Sequence, residues 1–108
     1  MTSVTDLADL GGVPPLILRE DWVPLQVYAQ LNDPQTGMAA FTGVVLAKRL
    51  IPRGLHNFVV WGMAHQEHDT EWACFNGLYC DDLDNARFEF GRRLRLNCWG
   101  ATVRGFAP

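Results

Sequence analysis

The chain has little of what marks an exported, membrane-bound or cross-linked protein. Its three cysteines, Cys74, Cys80 and Cys98, are an odd number in a chain with enough apolar residues to build a core. A disulfide framework is therefore neither required nor suggested, and a reducing compartment is expected. Long apolar runs are missing: the longest stretch free of charge, residues 34–47, spans fourteen residues and is broken by Gly37 and Gly43. That falls short of the roughly 20 apolar residues a bilayer-spanning helix needs. Basic residues are absent from the start, where Asp6 and Asp9 precede Arg19, the reverse of the charge order in a secretory leader. A cytoplasmic protein with no membrane association is the expectation. The sequence also shows no internal repeat, and Gly11-Gly12 lacks the rest of a phosphate-cradling motif.

What is present is the material of one globular domain. The 108 residues are 48% hydrophobic and 19% charged, with four Trp and six Phe, which suits a single core and leaves too little chain for two. The net charge is only −3, but it is unevenly laid out: residues 1–33 carry −4, 34–66 carry +3, 67–84 carry −6 and 87–108 carry +4. Such blocks favour electrostatic steering of a partner.

Residues 1–24 mix Gly11-Gly12, Pro14-Pro15 and Pro24 with isolated apolar groups, so an irregular N-terminal arm is expected, with Leu16, Ile17, Leu18 and Trp22 laid across a domain of residues 25–108. Leu25, Val27, Ala29 and Leu31 alternate as one face of a strand, and Asp33, Pro34 and Gly37 supply a turn. Residues 38–51 are ambiguous. Ala39, Ala40, Leu46 and Ala47 favour helix, while Thr42, Val44 and Val45 tip the balance to strand. Residues 56–65 and 71–79 form the clearest hairpin, rich in aromatic and β-branched groups on both faces. After Tyr79 the period changes. Asp81 or Asp82 can cap, and Leu83, Ala86, Phe90 and Leu94 recur at helical spacing, which predicts an amphipathic helix over residues 82–95. Gly91 is its weak point, and residues 98–106 suit a last edge strand. Strands followed by one helix predict an α+β domain, a small antiparallel sheet of three to five strands packed by that helix.

His65, His68, Cys74 and Cys80 are the residue types zinc prefers, which makes a His/Cys zinc-binding domain one reading. Their spacing is not a usual one: on a regular strand Cys74 and Cys80 share a face but stand roughly 20 Å apart. Polar loop histidines and small buried cysteines account for them better, so no metal and no cofactor is expected. A thiol enzyme would need Cys74 or Cys80 beside His65 or His68, and no spacing places them together. Single-stranded nucleic-acid binding is a further alternative, since Arg87, Arg92, Arg93 and Arg95 line the helix while Trp61, Trp72, Phe75 and Tyr79 lie on the sheet. The isoelectric point near 5.4 argues against it.

The remaining reading is a non-enzymatic protein-binding module. Apolar residues on both sheet faces exceed what one helix covers, and the acidic block Glu67, Asp69, Glu71, Asp81, Asp82 and Asp84 suits a protein partner with a basic surface, with Trp61 and Trp72 as apolar anchors. Self-association into a homodimer is another way to cover such a face. In its specific form the module is a small acidic inhibitor or regulator of a nucleic-acid-handling complex, a mobile-element accessory of the anti-CRISPR or anti-restriction type, an analogy of class alone.

Overall fold

The computed structural model describes residues 3–5, 14–19, 21–33, 35, 37 and 39–96. Along them run two short strands, β1 (Ser3–Thr5) and β2 (Leu16–Leu18), four long strands, β3 (Trp22–Leu31), β4 (Phe41–Arg49), β5 (Phe58–His65) and β6 (Ala73–Cys80), and one helix, α1 (Leu83–Leu96). The long strands form one antiparallel sheet in chain order, β3-β4-β5-β6, and the short pair forms a separate antiparallel ribbon. The α+β architecture expected from the sequence is therefore present, and the helix falls within a residue of its expected bounds.

The N-terminal arm differs from its expectation. It is not wholly irregular, because β1 and β2 pair, and β3 begins at Trp22, before Pro24. Proline is tolerated there because β3 is an edge strand with no second ladder to lose. The register shifts between Pro24 and Gln26, and this irregularity turns Leu25 away from Val27 and Ala29. Leu25 instead lines a hollow on the helix side with Lys48, Phe58, Leu83 and Arg87. Residues 41–49 are strand as the β-branched residues suggest: Gly43 to Ala47 are all buried, and burial on both faces outweighs the helix preference of Leu46 and Ala47. The strand expected over residues 98–106 lies outside the described residues.

The sheet divides two apolar layers. On one face Leu16 and Leu18 of the ribbon pack with Trp22, Ala29, Val45, Ala47, Val59, Met63 and Trp72. On the other, α1 sets Ala86 and Phe90 on Val44, Leu46, Val60 and Cys80. At the β3–β4 turn the buried amide of Asn32 donates to the Ala39 carbonyl and to Thr42 Oγ1 at 2.8 and 3.0 Å, so its burial leaves no donor unpaired.

Asp82 starts the helix. Its Oδ1 accepts the Asn85 N–H at 2.8 Å, the N-cap geometry in which a side-chain oxygen satisfies one of the first-turn donors. Asp84 in the first turn and Arg93 and Arg95 in the last complement the macrodipole. The helix runs unbroken through Gly91, where an added Cβ would meet only Arg95 Nη1 at 3.8 Å, an ordinary contact. Gly91→Ala should therefore raise the unfolding free energy by roughly 1 kcal/mol, seen as a melting temperature about 4–8 °C higher for a domain of this size. A lower melting temperature would show that α1 does not tolerate a side chain there.

Candidate functional site

One strand of the sheet stands apart. β6 is an edge, and every residue from Ala73 to Tyr79 is exposed. Opposite Trp61 its register shifts: Val60 pairs with Leu78 and Gly62 with Phe75, so Asn76 and Gly77 together face one residue of β5. Asn76 takes φ +53°, the left-handed region that asparagine tolerates better than most residues, and the pair forms a bulge. Gly77 is required by proximity, since a Cβ there would lie 2.6 Å from Trp61 Nε1.

The bulge inverts the side-chain alternation beyond it. Cys74 and Cys80 would share a face on a regular strand. With the extra residue, Cys74 lies on the ribbon side with Trp61 and Trp72, whereas Cys80 is buried beneath α1. The expectation of a shared cysteine face is thus corrected. His65 is buried, with Nδ1 at 2.6 Å from the Gln66 carbonyl and its ring against Trp72 and Phe41. His68 is exposed beside Asp69. Among the described residues no three His, Cys, Asp or Glu side chains gather where one metal ion could sit.

On the ribbon side, between β2 and β6, lies a half-open hollow of about 600 Å³ lined by Ile17, Leu18, Arg19, Asp21, Trp22, Trp61, Glu71, Trp72, Cys74 and Tyr79. Four rings line it: Trp72, and a cluster in which Trp22 and Trp61 meet edge-on with centroids 5.4 Å apart and Tyr79 lies 5.9 Å from Trp22 and 6.4 Å from Trp61. The guanidinium of Arg49 stacks 4.6 Å over Trp22 and, with Arg53, pairs with Asp21, which fixes the rim by charge and cation–π attraction. Trp72 donates from Nε1 to the Pro14 carbonyl at 3.1 Å and so ties the chain entering β2 to the chain entering β6. No ion pair among the described residues engages Arg19 or Glu71.

The acidic set falls into two groups. Glu67, Asp69 and Glu71 precede β6, and Asp81, Asp82 and Asp84 follow it; the strand between them is roughly 26 Å long at ordinary rise. Several have local duties: Asp69 accepts the Gln66 N–H, Asp81 pairs with His56, and Asp82 caps α1. Of the two expected anchors, Trp72 is buried at 7% exposure, and Trp61 is half-buried in the wall of the hollow. Trp22 and Tyr79 complete that wall and were not expected there. The signal in the sequence was Asn76-Gly77, a turn-forming pair inside a strand pattern. For nucleic acid, the helix arginines and the tryptophan hollow lie on opposite faces of the sheet. Arg92 and Arg93 are moreover bound to Glu89. Neither a protein-family model, nor a curated protein, nor a solved structure matches this chain.

Glu89 fastens the helix to the bulge. Its carboxylate, buried at 5% exposure, accepts from Arg92 at 2.8 and 2.7 Å and from Arg93 at 2.7 Å, while Arg93 Nη2 reaches the Asn76 carbonyl at 2.5 Å. The hydrogen bonds from Arg92, then those from Arg93, outweigh burial and hold the Glu89 carboxyl below the ordinary glutamate value. A carboxyl depressed on folding contributes stability that is complete above its unfolded pKa of about 4.3 and is lost as pH falls through the lower folded value. Glu89→Gln should accordingly cost roughly 2 kcal/mol at pH 7, with the deficit narrowing as pH drops below about 4 in denaturant titrations. A pH-independent deficit would show that packing, not charge, is lost.

Cys74 has a different environment. Packing around its sulfur desolvates the thiolate and pushes the thiol up to about 11, so the protonated form is favoured at neutral pH. Its alkylation by iodoacetamide should keep accelerating as pH rises past 9. A plateau near pH 7 would mark an activated thiol instead.

Proposed function

We propose that the chain is a non-enzymatic protein-binding module that receives its partner along the β6 margin of the sheet. The observation that carries the reading is an exposed edge strand beside a half-open hollow lined by Trp22, Trp61 and Tyr79. Tryptophan, tyrosine and arginine are the residues whose burial dominates association energies, and here they stand on a scaffold already held by the Arg49–Asp21 and Trp72–Pro14 contacts. A preorganised surface costs less to order on binding. The two acidic groups at the ends of β6 suit a partner with a basic surface, and an inhibitor or regulator of a nucleic-acid-handling complex is the specific form this reading takes. Acids divided between two ends favour a partner that lies along β6 over one that needs a continuous acidic strip.

A photo-reactive benzoylphenylalanine at Tyr79 should give one discrete protein adduct in extract of the producing cell, competed away by excess unmodified chain. The same group at Phe88, exposed on α1, should not give that adduct. Equal adducts from both positions, or none at Tyr79, would remove the β6 margin as the docking surface.

A further inference from the structure

Resting on that reading, we infer that the partner supplies an extended segment, apolar in its middle and carrying lysine or arginine at both ends, which adds to the sheet as a strand along β6. An edge strand presents unpaired backbone N–H and C=O groups, and proteins ordinarily guard such edges with charge, proline, bulges or a covering element. The two edges of this sheet differ in that respect. β3 is guarded, because Pro24 and the register shift at Leu25 interrupt it and the ribbon lies against it. β6 reads Ala-Cys-Phe-Asn-Gly-Leu-Tyr-Cys, without charge or proline, and among the described residues no strand pairs with its outer side. Its bulge is the guard it has, and Arg93 ties the carbonyl of that bulge to the helix. Regular backbone is left on either side, from Ala73 to Phe75 and from Leu78 to Cys80.

The side chains of β6 give an added strand apolar neighbours on both faces. Tyr79 and the hollow lie on one, and Phe75 and Leu78, 45% and 44% exposed, lie on the other. Recognition by strand addition draws affinity from main-chain hydrogen bonds and selectivity from sites that receive alternate side chains.

Charge selects the occupant. A second copy pairing β6 with β6 sets acid against acid at both ends. Antiparallel, Glu67, Asp69 and Glu71 of one chain meet Asp81, Asp82 and Asp84 of the other; parallel, each group meets its own kind. Like charges brought together across an interface are costly. A segment with a cationic group at each end instead meets opposite charge at both, and Glu71, free of ion pairs among the described residues, stands at one of them.

The test uses the full chain and three synthetic peptides of nine residues. The first has two lysines at each end and alternating valine and threonine between them. The second replaces the lysines with glutamates, and the third keeps the lysines but carries N-methyl groups on its valine nitrogens. The basic-ended peptide should slow hydrogen exchange of the β6 amides at least tenfold and bind at least tenfold more tightly than the acid-ended one, with the preference shrinking in 0.5 M salt. The N-methylated peptide should lose the protection. Replacing Glu67 and Asp81 together, Glu67→Lys with Asp81→Lys, touches neither the core nor the helix cap and should reduce the preference for basic ends at least threefold. Equal binding of the first two peptides, absence of binding by the first, shifts confined to the hollow without protection of β6, or protection that appears with chain concentration alone and marks a second copy, would each overturn the inference. If the peptides fail while the Tyr79 adduct persists, strand addition falls and the protein-binding reading stands; if the adduct also fails, the reading falls with it.

Discussion

Trp61 faces two residues of β6 where a regular ladder would give it one, and the rest of the site depends on that mismatch. The extra residue reverses the alternation, so Tyr79 joins Trp61 on the ribbon side and Cys80 turns under α1. Without it the strand end leading into α1 would present Tyr79 to the helix and Cys80 to the hollow, because a one-residue slip exchanges the faces of every side chain beyond it. The bulge is held on both sides. Trp61 lies against Gly77, where no larger residue fits, and Arg93 binds the Asn76 carbonyl from α1. Glu89 in turn orients Arg93, so a buried ion pair is spent on fixing a backbone irregularity. A buried pair of this kind is weak evidence of net stabilisation, and here it joins α1 to the bulge carbonyl through Arg93.

Placement of charge follows a similar division. β6 itself is neutral, and the acidic residues that follow one another closely in sequence end up in two groups because a strand of eight residues separates them. One group is tied to the turn before β6, through Asp69, and the other to the start of α1, through Asp82. Local duties do not cancel their charge. Their field decays over about 8–10 Å at ordinary ionic strength, so each group acts on the end of the strand beside it.

The sequence was most legible where period and burial agree. The hairpin of β5 and β6 and the stripe of Leu83, Ala86, Phe90 and Leu94 follow directly from alternation and helical spacing. The ambiguity over residues 38–51 resolves to strand for Phe41–Arg49, because β4 is central and buried on both faces, a tertiary fact that propensity cannot hold. The pairing of Ser3–Thr5 with Leu16–Leu18 was not legible, since three-residue strands carry too few alternations to register against Pro14-Pro15. The hollow was hidden for a different reason. It is made by Trp22, Trp61 and Tyr79 from three strands, and the face of Tyr79 depends on a bulge that the Asn76-Gly77 pair signals but does not prove. Treating the six acids as one patch followed from their closeness in sequence, and the intervening strand undoes it.

Among the described residues the ribbon lies against β3, on the far side of the hollow from β6. Trp72 binds the Pro14 carbonyl where the chain enters β2, so Leu16 and Leu18 pack toward Trp22 and Ala29, and β2 ends at Leu18. The rim beside the rings is held by Asp21 with Arg49 and Arg53, and by Arg49 over the face of Trp22. Each contact is modest when exposed. Acting on one turn, however, they bias the rim toward a single arrangement, so the aromatic wall and the neutral edge strand beside it form one continuous surface. Under the proposed reading, a partner paired with the backbone of β6 would also reach the rings, and the two contributions would share a single loss of translational freedom.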